Sequence, residues 1–255
     1  MLVYHGVAGE ADFADEADAA YGVDPEDFAK QMTLMHHAGF RTISLAEFDK
    51  FINGEDVDLP ARPVLLTFDD ARLDSWTATD ATLRKLGFRA VMFVDAGRVA
   101  DGVDEYLTWD ELRGLEASGR WELQVHSGRG HVYLRYGLAE EDTGPAYAYE
   151  QRRESFEEWQ ERVFGDIAWG EEELAANISA YRPLAFAPPY GAYGQDGTND
   201  ERIPGALLDW LTMEFGVVFT QDRDPFAKPG AESPLGRFEV TRAVTGGDLY
   251  EALTR

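Results

Sequence analysis

The sequence predicts an α/β fold with a parallel sheet, of the size of one (β/α) barrel. Short apolar runs typical of strands alternate with segments in which apolar residues recur at helical spacing, and the links between them are short. The run Pro63-Val64-Leu65-Leu66-Thr67-Phe68 is almost entirely apolar, as expected for a strand buried on both faces. The 255 residues, 44% of them hydrophobic, suffice for one barrel-sized core. We therefore predict a single domain over residues 1–255.

The first half of the chain predicts alternating strands and helices. A strand opens the chain and ends at His5-Gly6, and an acidic loop follows over residues 8–22. Asp24-Pro25 then provides the N-cap and first-turn proline of a helix that ends at Gly39. The predicted strands cover residues 1–4, 41–44, 63–68 and 89–94, and further helices cover residues 46–52 and 75–86.

The second half continues this alternation after a long interruption. Thr108 and Glu111 form the capping box of a helix that ends at Gly119, and a strand over residues 121–125 leads into His126. Residues 132–180 interrupt the pattern with one helix, in which apolar residues recur from Phe156 to Phe164. Four tyrosines lie before it in a segment without clear periodicity, namely Tyr133, Tyr136, Tyr147 and Tyr149. They either cover the core or stack on sugar rings, and we expect them to cover the core. The remaining predicted strands cover residues 184–187, 217–220 and 237–242, and the helices cover residues 203–215 and 248–253.

Composition excludes several classes of partner and site. Aspartate and glutamate number 48 against 23 lysine and arginine residues, which gives a formal charge of −25 and predicts an acidic surface that repels nucleic acid and anionic membranes. No cysteine is present, so a metal would need histidine and carboxylate ligands. No apolar run approaches the ~18 to 20 residues of a membrane span. No basic leader precedes the first strand, so we expect a cytoplasmic protein unless a leader has been removed.

Chemically distinctive residues follow several of the predicted strands. Asp69 and Asp70 end the buried strand, where adjacent carboxylates need a cation or a shared proton unless they simply cap the next helix. His126 ends a later strand, and His131 follows it in a glycine-containing segment. Parallel strands place their carboxyl ends, and thus these side chains and His5, on one rim, where barrel enzymes carry their active sites. Two imidazoles and a carboxylate suit zinc, iron, nickel or cobalt.

Three ordered motifs carry a resemblance to a known family. Thr67-Phe68-Asp69-Asp70, His126-Ser127 with His131, and Pro188-Pro189-Tyr190-Gly191 resemble the polysaccharide deacetylases, the NodB-type carbohydrate esterases. The opening Tyr4-His5-Gly6-Val7 is most similar to the branch that includes poly-N-acetylglucosamine deacetylases. The resemblance implies a distorted, incomplete (β/α) barrel of about seven parallel strands with outer helices. It also implies a carbohydrate substrate that loses N-acetyl groups, and an enzyme that often works at the cell envelope.

The resemblance implies roles for individual residues. Asp70, His126 and His131 would hold a divalent metal, most often zinc, with cobalt or nickel as alternatives, and Asp69 would be the general base. The backbone amide of Tyr190, in the turn that begins at Pro189, would meet the developing oxyanion. Ser127 would orient its neighbours through hydrogen bonds.

The sequence also departs from the family pattern. Ala71 stands where a glycine usually follows the aspartate pair, and Ala187 and Pro188 replace the arginine that normally holds the base, so we expect Arg182 or Arg242 to substitute for it. No histidine follows His131, although many relatives use a late histidine to protonate the leaving amine. We expect Asp69 to return that proton itself, with His5 as the alternative.

Three other functions remain open at this stage. An esterase of the same architecture would remove O-acetyl groups from a polymer such as xylan. Two histidines and a carboxylate are also the ligands of non-haem iron oxygenases, although these normally need a β-rich framework. A carbohydrate-binding protein without activity would explain the missing arginine and late histidine. The oligomeric state is not encoded in any recognisable pattern.

Overall fold

A computed structural model describes residues 1–254, with the exception of the side chain of Ala17. The strands are β1 (Leu2–Tyr4), β2 (Arg41–Thr42), β3 (Pro63–Val64), β4 (Leu66–Phe68), β5 (Ala90–Asp95), β6 (Trp121–Ser127), β7 (Tyr133–Arg135), β8 (Thr143–Pro145), β9 (Ala185–Phe186), β10 (Val217–Thr220), β11 (Leu235–Gly236) and β12 (Phe238–Glu239). The α-helices are α1 (Glu16–Tyr21), α2 (Pro25–His37), α3 (Leu45–Ile52), α4 (Leu73–Thr77), α5 (Asp80–Leu86), α6 (Ala96–Asp101), α7 (Trp109–Ala117), α8 (Phe156–Asn177), α9 (Ile203–Glu214) and α10 (Gly246–Leu253). Short 3₁₀ helices cover Glu10–Asp12 and Pro189–Gly191.

Two parallel sheets form an incomplete barrel. The larger has the strand order β12-β1-β4-β5-β6, and the smaller has the order β11-β10-β9. Consecutive strands β11 and β12 join the sheets at one corner, while β6 and β9 lie side by side at the other. Seven strand positions therefore surround the interior if β11 and β12 are taken as one. This confirms the predicted architecture, although hydrogen-bonded strands do not close the barrel.

A side-chain amide bridges the seam between β6 and β9. Gln124 Oε1 accepts hydrogen bonds from the backbone N–H groups of Leu184 and Ala185, both at 2.9 Å. Its Nε2 donates to the carbonyl of Arg182 at 2.9 Å. The amide thus satisfies backbone groups that a neighbouring strand would satisfy in a closed barrel.

Alternation along the strands determines which side chains face the interior. On β5, Val91 and Phe93 pack in the interior cluster, whereas Ala90, Met92 and Val94 pack against the outer helices. Around β4, Leu65 belongs to the interior cluster and Leu66 and Phe68 to the outer one. Because side chains alternate along an extended chain, Thr67 and Asp69 share the inward side with Leu65.

Several elements differ from the sequence prediction. The helix predicted over residues 75–86 is divided into α4 and α5, where the Thr79 hydroxyl donates to the carbonyl of Ser75. The predicted acidic loop contains α1, whose N-cap is Asp15, because its acids lie in the first turn and stabilise the positive helix N-terminus. The strand predicted over residues 237–242 shortens to β12. Helix α6 and the antiparallel β7–β8 hairpin were not predicted.

The described helices include none that is both long and apolar enough to cross a membrane. The longest, α8, has 22 residues, but glutamate and aspartate recur along it.

Glu171 on α8 provides a test of how a half-buried acid affects stability. Burial, together with the nearby Glu214 carboxylate, raises the pKa of Glu171 from 4.5 to about 7. The folded protein therefore binds this proton more tightly than the unfolded chain does, and the free energy of unfolding falls as the pH rises from 4.5 to 7.

We expect Glu171→Gln to reduce this loss by about 1 kcal/mol, after allowance for solvent screening at a half-exposed side chain. Urea denaturation at pH 5 and pH 8 measures the effect. Glu172→Gln, at an exposed position on the same helix, is the matched control for the change in net charge. Equal pH dependence in both variants would contradict the assignment to Glu171.

Candidate active site

The carboxyl ends of the barrel strands surround one cavity. It has a volume of about 640 Å³, within the range of about 300–1,000 Å³ typical of ligand sites. Its walls include His5 after β1, Asp70 after β4, His126 on β6 and Tyr190 after β9. His131 lies on the segment that follows β6 and also lines this cavity. The structure thus brings His5, Asp70, His126 and His131 into one site, whereas Asp69 is buried and is not part of the cavity wall.

Asp70, His126 and His131 present their ligand atoms to one another. Asp70 Oδ1 lies 3.3 Å from His126 Nε2 and 3.4 Å from His131 Nδ1. This buried oxygen has no hydrogen-bond partner among the described residues. A buried carboxylate oxygen without a partner is costly, so its surroundings favour a cation.

The protonation of His126 strengthens this inference. His126 Nδ1 lies 2.7 Å from the carbonyl oxygen of Ala187, which can only accept a hydrogen bond, so we assign the proton to Nδ1. In the neutral form of this ring, the lone pair of Nε2 faces Asp70 Oδ1. Two acceptors at this distance repel each other unless a cation lies between them. Support of one ring nitrogen by a backbone carbonyl is also usual for histidines that bind metals.

The residues fit a divalent metal. Ligands at about 2.0–2.1 Å from a tetrahedral ion lie about 3.4 Å from each other, which matches both distances from Asp70 Oδ1. One oxygen and two nitrogen donors suit zinc, cobalt or nickel.

Burial alone would raise the pKa of Asp70, but the imidazoles of His131, His126 and His5 outweigh it and hold the pKa well below the usual range. Burial alone would lower the pKa of His126, but the carboxylates of Asp70, Asp69 and Asp95 outweigh it and raise the pKa. Both shifts describe a site that favours positive charge.

A single carboxylate fixes the segment that carries His131. Asp166 Oδ2 accepts hydrogen bonds from the backbone N–H groups of Gly128 at 3.1 Å and Gly130 at 3.0 Å, and from the Tyr147 hydroxyl at 2.6 Å. Asp166 Oδ1 accepts from the backbone N–H of Arg129 at 2.6 Å. Three consecutive amides are therefore tied to helix α8.

The glycines of this segment are required by close approach. A Cβ atom at Gly128 would lie 2.2 Å from the backbone oxygen of Asp166, and one at Gly130 would lie 2.2 Å from the Tyr147 ring. Any larger residue would displace the segment from α8. The glycine-containing spacing between the two histidines is thus a packing requirement and not a sign of flexibility.

Asp95 is a further carboxylate at the site that sequence reasoning missed. It is buried, and its Oδ2 lies 3.5 Å from His131 Nδ1. Its Oδ1 accepts a hydrogen bond from the backbone N–H of Arg98 and caps α6. Its position at the end of β5, on the same rim as Asp70, is the signal that could have identified it.

Asp69 is held by an arginine that the sequence analysis did not identify. Arg237 donates to both Asp69 oxygens at 2.7 Å, and its Nη1 also donates to the Thr67 hydroxyl at 3.0 Å. The guanidinium contacts the rings of Phe93 and Phe219, at 5.4 and 5.7 Å from their centroids. Burial alone would raise the pKa of Asp69, but Arg237 outweighs it and holds the pKa below its usual range.

The expectation that Arg182 or Arg242 holds Asp69 is wrong. Arg242 donates to the carbonyls of Ala19 and Ala8 at 3.0 and 3.2 Å and so fixes the N-terminal loop. Arg182 donates to the carbonyl of Tyr181. Arg237 takes the role because β12, the strand it precedes, lies beside β1 and brings it into the barrel interior.

Ser127 also differs from expectation. Its hydroxyl is buried and has no hydrogen-bond partner among the described residues. The expected hydrogen bonds to its neighbours are therefore absent from the described part of the chain, and Asp166 orients this segment instead.

Left-handed backbone conformations cluster at the site. Asp70 has φ 78°, Ala71 has φ 59° and Tyr190 has φ 60°, and Arg153 is the other described non-glycine residue with positive φ. Such conformations cost roughly 1–3 kcal/mol and are often found at functional sites. The turn at Asp70 ends strand β4. Ala71 has a left-handed backbone conformation, which is energetically less favourable for alanine than for the glycine usual in the family.

The Pro189-Tyr190 turn closes one wall of the cavity. Pro189 is buried and has no N–H to donate, so its part is to begin the turn. The N–H groups of Gly191 and Ala192 donate to the carbonyls of Pro188 and Pro189. The Tyr190 ring stands edge-on to His131 with centroids 4.4 Å apart. Burial raises the pKa of the Tyr190 hydroxyl, which stays protonated.

His5 lies in the cavity wall, close to the buried Asp69. Its Nε2 is 3.9 Å from Asp69 Oδ2, and its buried Nδ1 has no hydrogen-bond partner among the described residues. His5 lines the cavity beside Tyr21, with ring centroids 6.0 Å apart. His5 therefore lies between the cavity and Asp69.

The tyrosines of residues 132–150 divide between core and cavity. Tyr147 is buried, and Tyr136 stacks on Tyr149 with centroids 4.3 Å apart, as expected for residues that cover the core. Tyr133 is instead exposed in the cavity wall and stands edge-on to Tyr190. The expectation is thus wrong for Tyr133.

A model of the polysaccharide deacetylase family matches residues 56–202, more than half of the chain. The chain belongs to the polysaccharide deacetylase family. This confirms the resemblance carried by the three motifs, and membership supports a hydrolase that deacetylates carbohydrate. A search of curated proteins found no match.

Solved structures share the fold of this polysaccharide deacetylase. A de-N-acetylase from Aggregatibacter actinomycetemcomitans superposes with a TM-score of 0.82 at 20% identity, over 98% of each chain. IcaB from Ammonifex degensii gives 0.74 at 22% identity, over 100% of this chain and 96% of that one. The BpsB deacetylase domain from Bordetella bronchiseptica gives 0.70 at 20% identity, over 94% and 95%.

The role of Asp166 is testable through metal affinity. Asp166→Asn replaces one acceptor oxygen with a donor, so it cannot bind all of the amides of residues 128–130. We expect zinc affinity to fall about 10- to 100-fold while the fold is retained. Calorimetric titration of zinc into chelator-treated protein measures it, with circular dichroism as the check on folding. Asp101→Asn, which removes only the surface partner of the Arg129 side chain, is the control. Equal affinity in both variants would contradict this role.

Proposed function

We propose that this polysaccharide deacetylase is a metal-dependent hydrolase that removes N-acetyl groups from an acetamido-sugar polymer or oligosaccharide. The observation that carries the metal requirement is the buried Asp70 Oδ1, which faces a nitrogen of each of two histidines and has no hydrogen-bond partner among the described residues. Zinc is the ion we expect, and cobalt or nickel would suit the same donors.

The choice of an N-acetyl over an O-acetyl group rests on two supports. The first is the motif resemblance to the poly-N-acetylglucosamine deacetylase branch. The second is the Aggregatibacter structure, a de-N-acetylase that shares this fold over nearly the whole chain.

Each residue of the site has a separate part in the proposed hydrolysis. A divalent metal held by Asp70, His126 and His131 would polarise the acetyl carbonyl and lower the pKa of a water molecule. Asp69 takes the proton of the attacking water as general base, since each of its oxygens keeps a lone pair after binding Arg237. Arg237 fixes the direction of those lone pairs and keeps the carboxylate ionised. The backbone N–H of Tyr190 stabilises the charge that develops on the acetyl oxygen.

His5 is the better candidate to protonate the leaving amine. The proton that Asp69 takes from the water lies on a carboxylate to which Arg237 already donates twice, so Asp69 gives it up readily, and His5 is the neighbour that can receive it. His5 lines the cavity, lies 3.9 Å from Asp69 Oδ2 and has a free buried ring nitrogen among the described residues. The geometry thus favours the alternative over our expectation that Asp69 returns the proton itself.

Metal analysis and acetate release test the proposed function. We expect about one metal ion per chain and acetate release from oligomers of N-acetylglucosamine. Asp69→Asn should keep its metal but lose turnover by at least about 100-fold, because the general base is gone. Acetate release only from acetylated esters would instead identify an O-acetyl esterase, and binding without release would identify a carbohydrate-binding protein.

The proposed role of His5 predicts a different pattern from that of Asp69. We expect His5→Gln to retain the metal and to lose acetamide hydrolysis by about 100-fold or more. Hydrolysis of an activated acetyl ester should fall much less, because its leaving group needs no proton. Comparison of both substrates by acetate assay measures the difference. Equal losses of acetamide and ester hydrolysis would contradict the role of His5 and would favour Asp69 as the group that protonates the leaving amine.

A further inference from the structure

Three of the exposed tyrosines of the described chain line the same cavity. Tyr21 is 50% exposed, Tyr133 is 59% exposed and Tyr190 is 45% exposed, and each lies in the cavity wall. Tyr250 on α10, 41% exposed, lies outside it. Large aromatic rings are normally covered in a folded protein, and a concentration of them in a cleft indicates a ligand surface.

These tyrosines flank the candidate site from different sides. Tyr21, at the end of α1, contacts His5, which follows β1. Tyr133, on the β7–β8 hairpin, contacts Tyr190, which follows β9. In the sheet order, β1 lies on one side of β4 and β5, while β6 and the adjoining β9 lie on the other. The acids after β4 therefore lie between the two aromatic walls.

We propose that Tyr21 and Tyr133 form two sugar-binding subsites, one on each side of the reacting acetamido sugar. This inference rests on the proposed function and adds how the polymer lies in the site. A pyranose ring offers a face of weakly positive C–H groups, and the face of a tyrosine ring is negative, so the two stack favourably. The occupant is therefore a glycan chain that continues beyond the reacting sugar in both directions.

Neighbouring polar groups are consistent with a glycan at these positions. Asp15 and Asp18 line the cavity on the Tyr21 side, and Gln221 and Glu239 line it as well. Carboxylate and amide oxygens accept hydrogen bonds from sugar hydroxyls and fix the orientation of a ligand between apolar rings. The enzyme would then act on sugars within a chain rather than on monosaccharides.

Chain-length dependence tests the two subsites. The zinc-loaded enzyme is assayed for acetate release from N-acetylglucosamine and from its tetramers in β-1,4 and β-1,6 linkage. We expect the unsubstituted enzyme to prefer a tetramer, and Tyr21→Ala and Tyr133→Ala each to reduce the ratio of tetramer to monomer kcat/KM about tenfold, mainly through KM.

Matched variants separate stacking from other effects. Tyr21→Phe and Tyr133→Phe keep the ring and should retain most of the tetramer preference. Tyr250→Ala removes an exposed tyrosine outside the cavity and should leave both substrates unaffected. The proposal is overturned if either alanine variant keeps the tetramer preference, or if the phenylalanine variants lose it as fully as the alanine variants do.

A binding measurement distinguishes failure of the subsites from failure of the proposed function. Each tetramer and the monomer are titrated calorimetrically into metal-free protein, which measures binding without turnover. If the enzyme releases no acetate, the proposed function fails, but tighter tetramer binding that weakens in Tyr21→Ala and Tyr133→Ala still supports the subsites. Tetramers that bind no more tightly than the monomer overturn them.

Discussion

The buried ion pair between Asp69 and Arg237 is the interaction on which the site depends. It joins residues 168 positions apart, so the strand that carries both acids is held against the last strands of the barrel. Removal of one partner of such a pair leaves an uncompensated charge in the interior, at a cost of about 3–5 kcal/mol. The same contact that completes the barrel therefore fixes the orientation of the Asp69 carboxylate beside His5. Stability and chemistry are coupled at this point of the chain.

A second layer of contacts positions the remaining side chains. Asp166 holds the segment of His131, the Ala187 carbonyl holds the ring of His126, and Asp95 lies against His131. These groups come from three different elements, α8, the end of β9 and the end of β5. The ligand atoms are thus held close together by the packing of the barrel and not by their own short segment of sequence.

The sequence allowed the convergence of Asp70, His126 and His131 to be predicted, because parallel strands end on one rim and each residue follows a recognisable strand. The incomplete barrel was predicted for the same reason, together with the motif resemblance. Arg237 and Asp166 were not predicted, because each acts through a contact across the fold and has no local pattern. Asp95 was missed although it ends a strand on the same rim as Asp70. Helix α1 was missed because its acidic composition is equally typical of a loop, and the capping role of Asp15 is apparent only once the backbone turns.

The hydrogen bond from His126 to Ala187 has a further consequence. Ala187 lies three residues before Tyr190, in the short stretch between β9 and the aromatic wall of the cleft. A bulky ligand that displaced Tyr190 would therefore also displace the Ala187 carbonyl, and with it the imidazole of His126 that is hydrogen-bonded to this carbonyl. With the metal of the proposed function bound, inhibitors that press against this turn would weaken metal retention without contacting the metal, and metal binding would in turn stiffen the turn that carries Tyr190.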